Sequence, residues 1–183
     1  MKGMLRVLLL AILLLAPLPA SQASGQLFFM EDQNVGHKAP DFTLDTLQGK
    51  NVNMTQYRDG KSAIIFFWAT WCPHCRVALK NLNTNAEYLE KKGIKIILVD
   101  LGESSDEVSE HLLKNRINFN AFLDRNSSLS EPYGIIGVPT FFLVDDQGIV
   151  KAVEHTLPDN FEEILIKKEV SQGKTKYSAS QKK

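Results

Sequence analysis

Residues 62–69, Ser-Ala-Ile-Ile-Phe-Phe-Trp-Ala, are apolar after the first position and run straight into Thr70-Trp71-Cys72-Pro73-His74-Cys75. A β-prone run with no polar alternation is the pattern of a strand covered on both faces, which puts it at the centre of a sheet. Pro73 suits the first turn of a helix and is hostile to its interior. The junction therefore predicts a central strand, a tight turn at Cys72 and a helix starting at Pro73. That helix is expected to reach Lys92. Its apolar positions are Val77, Leu79, Leu82, Ala86 and Leu89, and Gly93 is its stop.

Pro40–Leu44 and Asn51–Met54 are expected as short strands, joined by a turn at Gln48-Gly49-Lys50. Ile94–Leu101 is a second buried strand. Ser104 or Ser105 caps a helix to about Asn115. A short strand is expected next at Ala121–Leu123, and a short helix at Ser127–Tyr133. Val138-Pro139-Thr140 leads into the strand Phe141–Val144, which turns at Asp145–Gly148 into Ile149–Val153. Leu157–Val170 closes the chain as a helix. Alternating strands and helices imply an α/β fold, with a central sheet and helices on both faces. The last hairpin makes the sheet mixed, and the first adds an N-terminal β-hairpin.

The first residues differ in kind from the rest. Lys2 and Arg6 precede the apolar run Val7–Ala16, Pro17 and Pro19 break it, and Ser21-Gln22-Ala23 offers small residues for cleavage. This is the layout of a secretory signal peptide. The run falls short of the roughly 20 apolar residues of a membrane span, so an uncleaved anchor is the weaker alternative. The expected organisation is a signal peptide over 1–23, a linker over 24–34, a domain over 35–170 and a polar, lysine-rich disordered tail over 171–183. The 183 residues carry 21 basic and 21 acidic side chains. That balance excludes the basic surplus of a nucleic-acid binder, and losing residues 1–23 tips it slightly acidic.

Cys72 and Cys75 are the two cysteines of the chain. Export implies an oxidising compartment, where such a pair can form a disulfide. A structural disulfide gains most from closing a long loop, and this one closes almost nothing. The pair therefore reads as redox-active. At a helix N-terminus, free backbone N–H groups and about half a positive charge stabilise a thiolate at Cys72. In such settings a cysteine pKa falls from about 8.5 into the range of about 3.5 to 7.5. Cys75, one turn further, is placed to resolve a mixed disulfide on Cys72. His74 can donate to that thiolate or carry charge beside it, and so makes the pair more oxidising than a Gly-Pro spacer would. A zinc site would need two more ligands, and His37, His111 and His155 are scattered without ligand spacing.

Phe67-Trp68-Ala69-Thr70-Trp71-Cys72-Pro73-His74-Cys75 resembles the active-site segment of thioredoxin-like proteins. Specifically, it is similar to the exported TlpA/ResA-like disulfide reductases, built on a redoxin domain. Ala39-Pro40-Asp41-Phe42-Thr43-Leu44, Val99-Asp100-Leu101-Gly102-Glu103-Ser104 and Gly137-Val138-Pro139-Thr140-Phe141-Phe142 match the same branch. The resemblance spans about Val35 to Val170 and implies a thioredoxin-like fold. It also implies a cis proline at Pro139, in a loop Val138-Pro139-Thr140 that faces the disulfide and binds the partner's backbone. Cys72 and Cys75 are then catalytic, supported by Trp71, Pro73 and His74. Two departures stand out. The thioredoxin acid six residues before the first cysteine is Phe66 here, and the ResA-like glutamate three residues after the second is Ala78. The Pro-His spacer resembles that of the oxidant DsbA.

The expected activity is disulfide exchange with exported protein thiols and disulfides, in the reducing direction. The resemblance implies cytochrome c maturation as the setting, with electrons from a membrane redox partner. No metal or cofactor is implied, and a monomer outside the cytoplasm, periplasmic or membrane-anchored, is expected. A copper chaperone using Cys72, Cys75 and His74 is one alternative. A peroxiredoxin is another, on the shared Pro40-Asp41-Phe42. Peroxiredoxins place a threonine three residues before the peroxidatic cysteine, and here that residue is Ala69.

Overall fold

The computed structural model describes residues 32–166. The expected signal segment, most of the linker and the tail lie outside them. Among the described residues no helix is long and apolar enough to cross a membrane.

In chain order the elements are β1 (Thr43–Thr46), β2 (Asn51–Asn53), α1 (Met54–Arg58), β3 (Ser62–Trp68), α2 (Pro73–Thr84), α3 (Ala86–Lys91), β4 (Ile94–Leu101), α4 (Ser105–Lys114), β5 (Ala121–Asp124), β6 (Thr140–Val144), β7 (Val150–Glu154) and α5 (Phe161–Ile166). They build one seven-stranded sheet in the order β2-β1-β5-β4-β3-β6-β7. β3 and β5 flank β4 in parallel. β6 pairs antiparallel with β3 and with β7, so the sheet is mixed. The N-terminal hairpin β1–β2 extends it by pairing β1 antiparallel to β5.

Every residue of β3 is buried. Because side chains alternate across a strand, Ile64, Phe66 and Trp68 enter one core with Leu79 and Leu82 of α2, Val108 and Leu112 of α4, and Leu165 of α5. Ala63, Ile65 and Phe67 enter the other with Phe42, Met54, Tyr133 and Phe142. Burying each large side chain contributes roughly 1.5–3 kcal/mol, which makes this strand a firm support for the turn at its C-terminal end.

Four local expectations change. The long helix predicted from Pro73 to Lys92 breaks at Asn85, whose backbone leaves the helical region (φ −99°, ψ 6°). Its side chain donates to the Asn81 carbonyl at 2.9 Å, and Thr84 Oγ1 donates to the Lys80 carbonyl. Such side-chain competition for the helix ladder bends or ends helices. The expected helix at Ser127–Tyr133 is a series of turns. Ser127 has φ 52°, the Asp124 carboxylate takes the N–H groups of Ser128 and Leu129, and Pro132 has no N–H to give. At Met54, expected to end a strand, a short helix begins instead. Asn53 caps it by accepting from Gln56 N at 3.0 Å, and Asp41 holds Thr55 through both its N–H and its hydroxyl. The closing helix, expected from Leu157, begins only at Phe161, because residues 157–160 form a loop and turn; its expected last residues, 167–170, lie outside the described ones.

Of the two serines expected to cap α4, Ser104 does so and Ser105 is the first helical residue. The cap is a full capping box, in which Ser104 accepts from Glu107 N and the Glu107 carboxylate accepts from Ser104 N.

Candidate active site

β3 and α2 place the cysteine pair. Cys72 is the N-cap of α2, in extended conformation (φ −81°, ψ 113°), and Pro73 takes the first helical position. Cys72 Sγ accepts the backbone N–H of Cys75 at 3.1 Å, so the sulfur fills the role that a serine or aspartate oxygen fills at other helix starts. The two cysteines form a disulfide with their Cα atoms 5.2 Å apart. Cys75 is fully buried, while Pro73, His74 and Trp71 are exposed around Cys72; Trp71 is 67% exposed and is no core aromatic. Val77, expected on the apolar face of the helix, is also exposed.

The loop Val138-Pro139-Thr140 stands beside the pair. The Val138–Pro139 peptide is cis, and the Val138 carbonyl oxygen lies 3.6 Å from Cys72 Sγ. Thr140 Oγ1 donates to the Gly137 carbonyl at 2.8 Å. His155, which no sequence pattern singled out, sits behind the loop with Nδ1 2.9 Å from the Pro139 carbonyl. A carbonyl only accepts, so Nδ1 carries the hydrogen. A groove of about 640 Å³ opens beside the pair, between His74, Ala78, Pro139, Phe141, Leu157 and Phe161.

Both departures are filled by apolar groups. Phe66 lies flat on Phe141, with ring centroids 4.4 Å apart and planes 3° from parallel. Ala78 lines the groove. Acids reach the site from another direction. The Glu103 carboxylate accepts from Thr70 N at 2.6 Å and from Thr70 Oγ1 at 2.5 Å, two residues before Cys72. Asp100 on β4 is fully buried and accepts the Glu103 N–H at 3.2 Å. Burial first, then the Glu103 carboxylate beside it, pushes Asp100 up to about 8, so it keeps its proton at neutral pH. Both acids lie in a motif whose likeness to relatives is visible, but their contact with the active-site turn is not. The available signal is an aspartate near the end of a strand that is otherwise apolar but for Lys95.

Among the described residues, no three His, Cys, Asp or Glu side chains gather in a way that could hold a metal ion, so the copper alternative gains nothing from the geometry. What the arrangement can do is exchange thiols. A reduced Cys72 would meet a helix N-terminus and a backbone N–H, the conditions that stabilise a thiolate.

Residues 35–153 match the model of the AhpC/TSA family. The thiol-disulfide oxidoreductase ResA of Geobacillus thermodenitrificans is 34% identical over 119 residues, covering 65% of this chain and 68% of that protein. The ResA of Bacillus subtilis is 28% identical over 131 residues, covering 71% and 73%. Among solved structures, a putative thiol:disulfide interchange protein DsbE from Chlorobium tepidum aligns with a TM-score of 0.63 and 28% identity. It covers 73% of this chain and 93% of that one. The thioredoxin domain of a thiol-disulfide oxidoreductase from Bacteroides vulgatus aligns with a TM-score of 0.64 and 26% identity, covering 73% and 96%.

Proposed function

The chain belongs to the AhpC/TSA family, among its ResA-type thiol-disulfide oxidoreductases, and from that membership we propose that it reduces disulfides of exported proteins, with Cys72 attacking and Cys75 resolving. The observation that carries the assignment of roles is the sulfur cap: Cys72 Sγ takes the Cys75 N–H at 3.1 Å at the start of α2. The thiolate of Cys72 attacks one sulfur of the partner disulfide, and the partner's other sulfur leaves as a thiolate. Cys75 then attacks Cys72 Sγ, frees the partner as a dithiol and leaves Cys72–Cys75 oxidised.

The groove and the cis-proline loop are suited to an extended partner chain. Val138, Pro139 and Thr140 would offer backbone beside Cys72, and the exposed Trp71 and His74 would flank the incoming sulfur. Cytochrome c maturation is the setting that the sequence resemblance implies, and the N-terminal apolar run supports an exported location. A membrane thiol donor would return the pair to the dithiol state.

Two features pull the potential in opposite directions. The α2 N-terminus and His74 favour the thiolate and hence the reduced pair. The Glu103 charge at Thr70 disfavours it and favours the disulfide. A reductase requires the second pull to be substantial. The standard reduction potential of Cys72–Cys75, measured against glutathione or dithiothreitol, is expected nearer about −270 mV than about −120 mV. A value at the oxidising end would reverse the proposed direction while leaving the exchange chemistry intact. The peroxidase alternative is not favoured, because residue 69 is alanine and Cys72 already has a bonded partner three residues away.

A further inference from the structure

Asp100 is the one acidic residue of β4, in the run Ile-Lys-Ile-Ile-Leu-Val-Asp-Leu. It pairs across the ladder with Trp68, the last residue of β3. It shares the sheet face of Leu98, beneath α2 and α4, and has no solvent exposure. Its Oδ1 accepts the Glu103 N–H. Its Oδ2 is buried and, among the described residues, faces no donor. As an ionised acceptor that oxygen is an orphan at heavy desolvation cost. As a hydroxyl it brings no charge into that site, and the acid beside it is Glu103, whose N–H already binds Oδ1. Glu103 uses its two oxygens to hold Thr70 by N–H and hydroxyl. The result is a continuous chain from Asp100 through Glu103 to the turn that delivers Cys72.

We propose that Asp100 is a positioning residue for the redox pair, its carboxyl sharing one proton with Glu103 so that Glu103 stays fixed on Thr70 and the Cys72 turn stays in place. The proposal rests on the exchange reading of Cys72. With the proton present, one net negative charge is spread over two carboxyls. Without it, two carboxylates face each other in a buried site and repel, loosening the hold on Thr70.

The other charged groups near the pair do not supply a replacement. Glu107 of α4 adds negative charge. His111 of α4 packs against the Trp68 ring, centroids 5.7 Å apart, and its pKa is lowered by burial and then by Arg76 of α2, against an opposing pull from the Glu103 charge, with Lys114 adding to the lowering. Asp124 of β5 belongs to the opposite face, where it binds Ser128 and Leu129. β3 contributes no titratable group at this end.

The test uses the full chain with Trp71→Phe, which leaves Trp68 as the sole tryptophan, in the disulfide form, where neither cysteine titrates. Trp68 emission is expected to titrate with a midpoint near pH 8, and Asp100→Asn is expected to abolish that transition. In the Trp71-containing protein, Asp100→Leu is expected to slow insulin reduction about tenfold or more. Asp100→Asn, whose amide can still donate to Glu103, is expected to restore most of the rate. A transition that persists in Asp100→Asn, or no transition between pH 7 and 9 in the parent, overturns the proposal. So does an Asp100→Leu variant that folds by circular dichroism and works at the parental rate. The fluorescence arm needs no turnover, so it still decides if the exchange reading itself fails, and it stands even if Asp100→Leu does not fold.

Discussion

Serine in place of Cys72 is expected to remove disulfide exchange altogether, whereas serine in place of Cys75 is expected to leave the attack intact and trap the partner. The asymmetry comes from position. Cys72 ends the turn after β3 and caps α2, where its sulfur meets the Cys75 N–H and the positive end of the helix. Cys75 lies one turn inside the helix, fully buried. A serine hydroxyl can copy the cap at residue 72, so the fold should survive, but its oxygen cannot attack a disulfide. The chain has only these two cysteines, so nothing can substitute. With Cys75 gone, the mixed disulfide on Cys72 has no intramolecular route to resolution and accumulates. Insulin turbidity with dithiothreitol reads the first effect, and a reducible mass increase on a non-reducing gel reads the second. Full activity in Cys72→Ser would refute the redox reading outright.

The second large effect concerns stability. Phe66→Ala is expected to cost about 3–5 kcal/mol, a large part of the roughly 5–15 kcal/mol that holds a domain of this kind together. Phe66 is fully buried at the middle of β3, within the core that α2, α4 and α5 cover. It stacks on Phe141 of the neighbouring strand at 4.4 Å, and such pairs add about 0.5–1.5 kcal/mol beyond their buried area. Phe141 also borders the groove beside Pro139, so the void would open directly under that groove. Urea denaturation followed by circular dichroism measures the loss. A cost below about 1 kcal/mol would mean that the core collapses around the gap.

Much of this arrangement is legible in the sequence, for identifiable reasons. β3 announces itself because a strand buried on both faces needs no polar alternation, and Pro73 marks where the helix must begin. The N-terminal hairpin and the mixed sheet can be read from turn residues and strand lengths. The places that are not legible are those where a side chain overrides the local pattern from a distance. Asn85 ends α2 by bonding back to Asn81, although the apolar spacing continues to Leu89. Asp124 captures the N–H groups at Ser128 and Leu129 and turns an expected helix into a set of turns. The position of Val77 on the helix suggests core, but it faces solvent beside the groove.

The site divides in the same way. The cysteine pair and the cis-proline loop are contiguous motifs, so their juxtaposition can be anticipated from the family resemblance. Glu103 holds Thr70 from 33 residues away, and His155 reaches Pro139 from another strand end. Such contacts exist only once the strands are paired. The two family acids missing at Phe66 and Ala78 are visible in the sequence as absences. That a carboxyl pair stands elsewhere against the active-site turn depends on the register of Asp100 opposite Trp68.

The whole mechanism turns on Cys72, held at the start of α2, being the attacking thiolate. The most direct measurement is the pH dependence of iodoacetamide alkylation in the reduced protein, with each cysteine followed separately by peptide mass spectrometry. Cys72 is expected to react first, with a half-maximal rate well below the free-cysteine value of about 8.5, while Cys75 is protected. Preferential alkylation of Cys75, or a Cys72 profile at or above the free-cysteine value, would contradict that assignment.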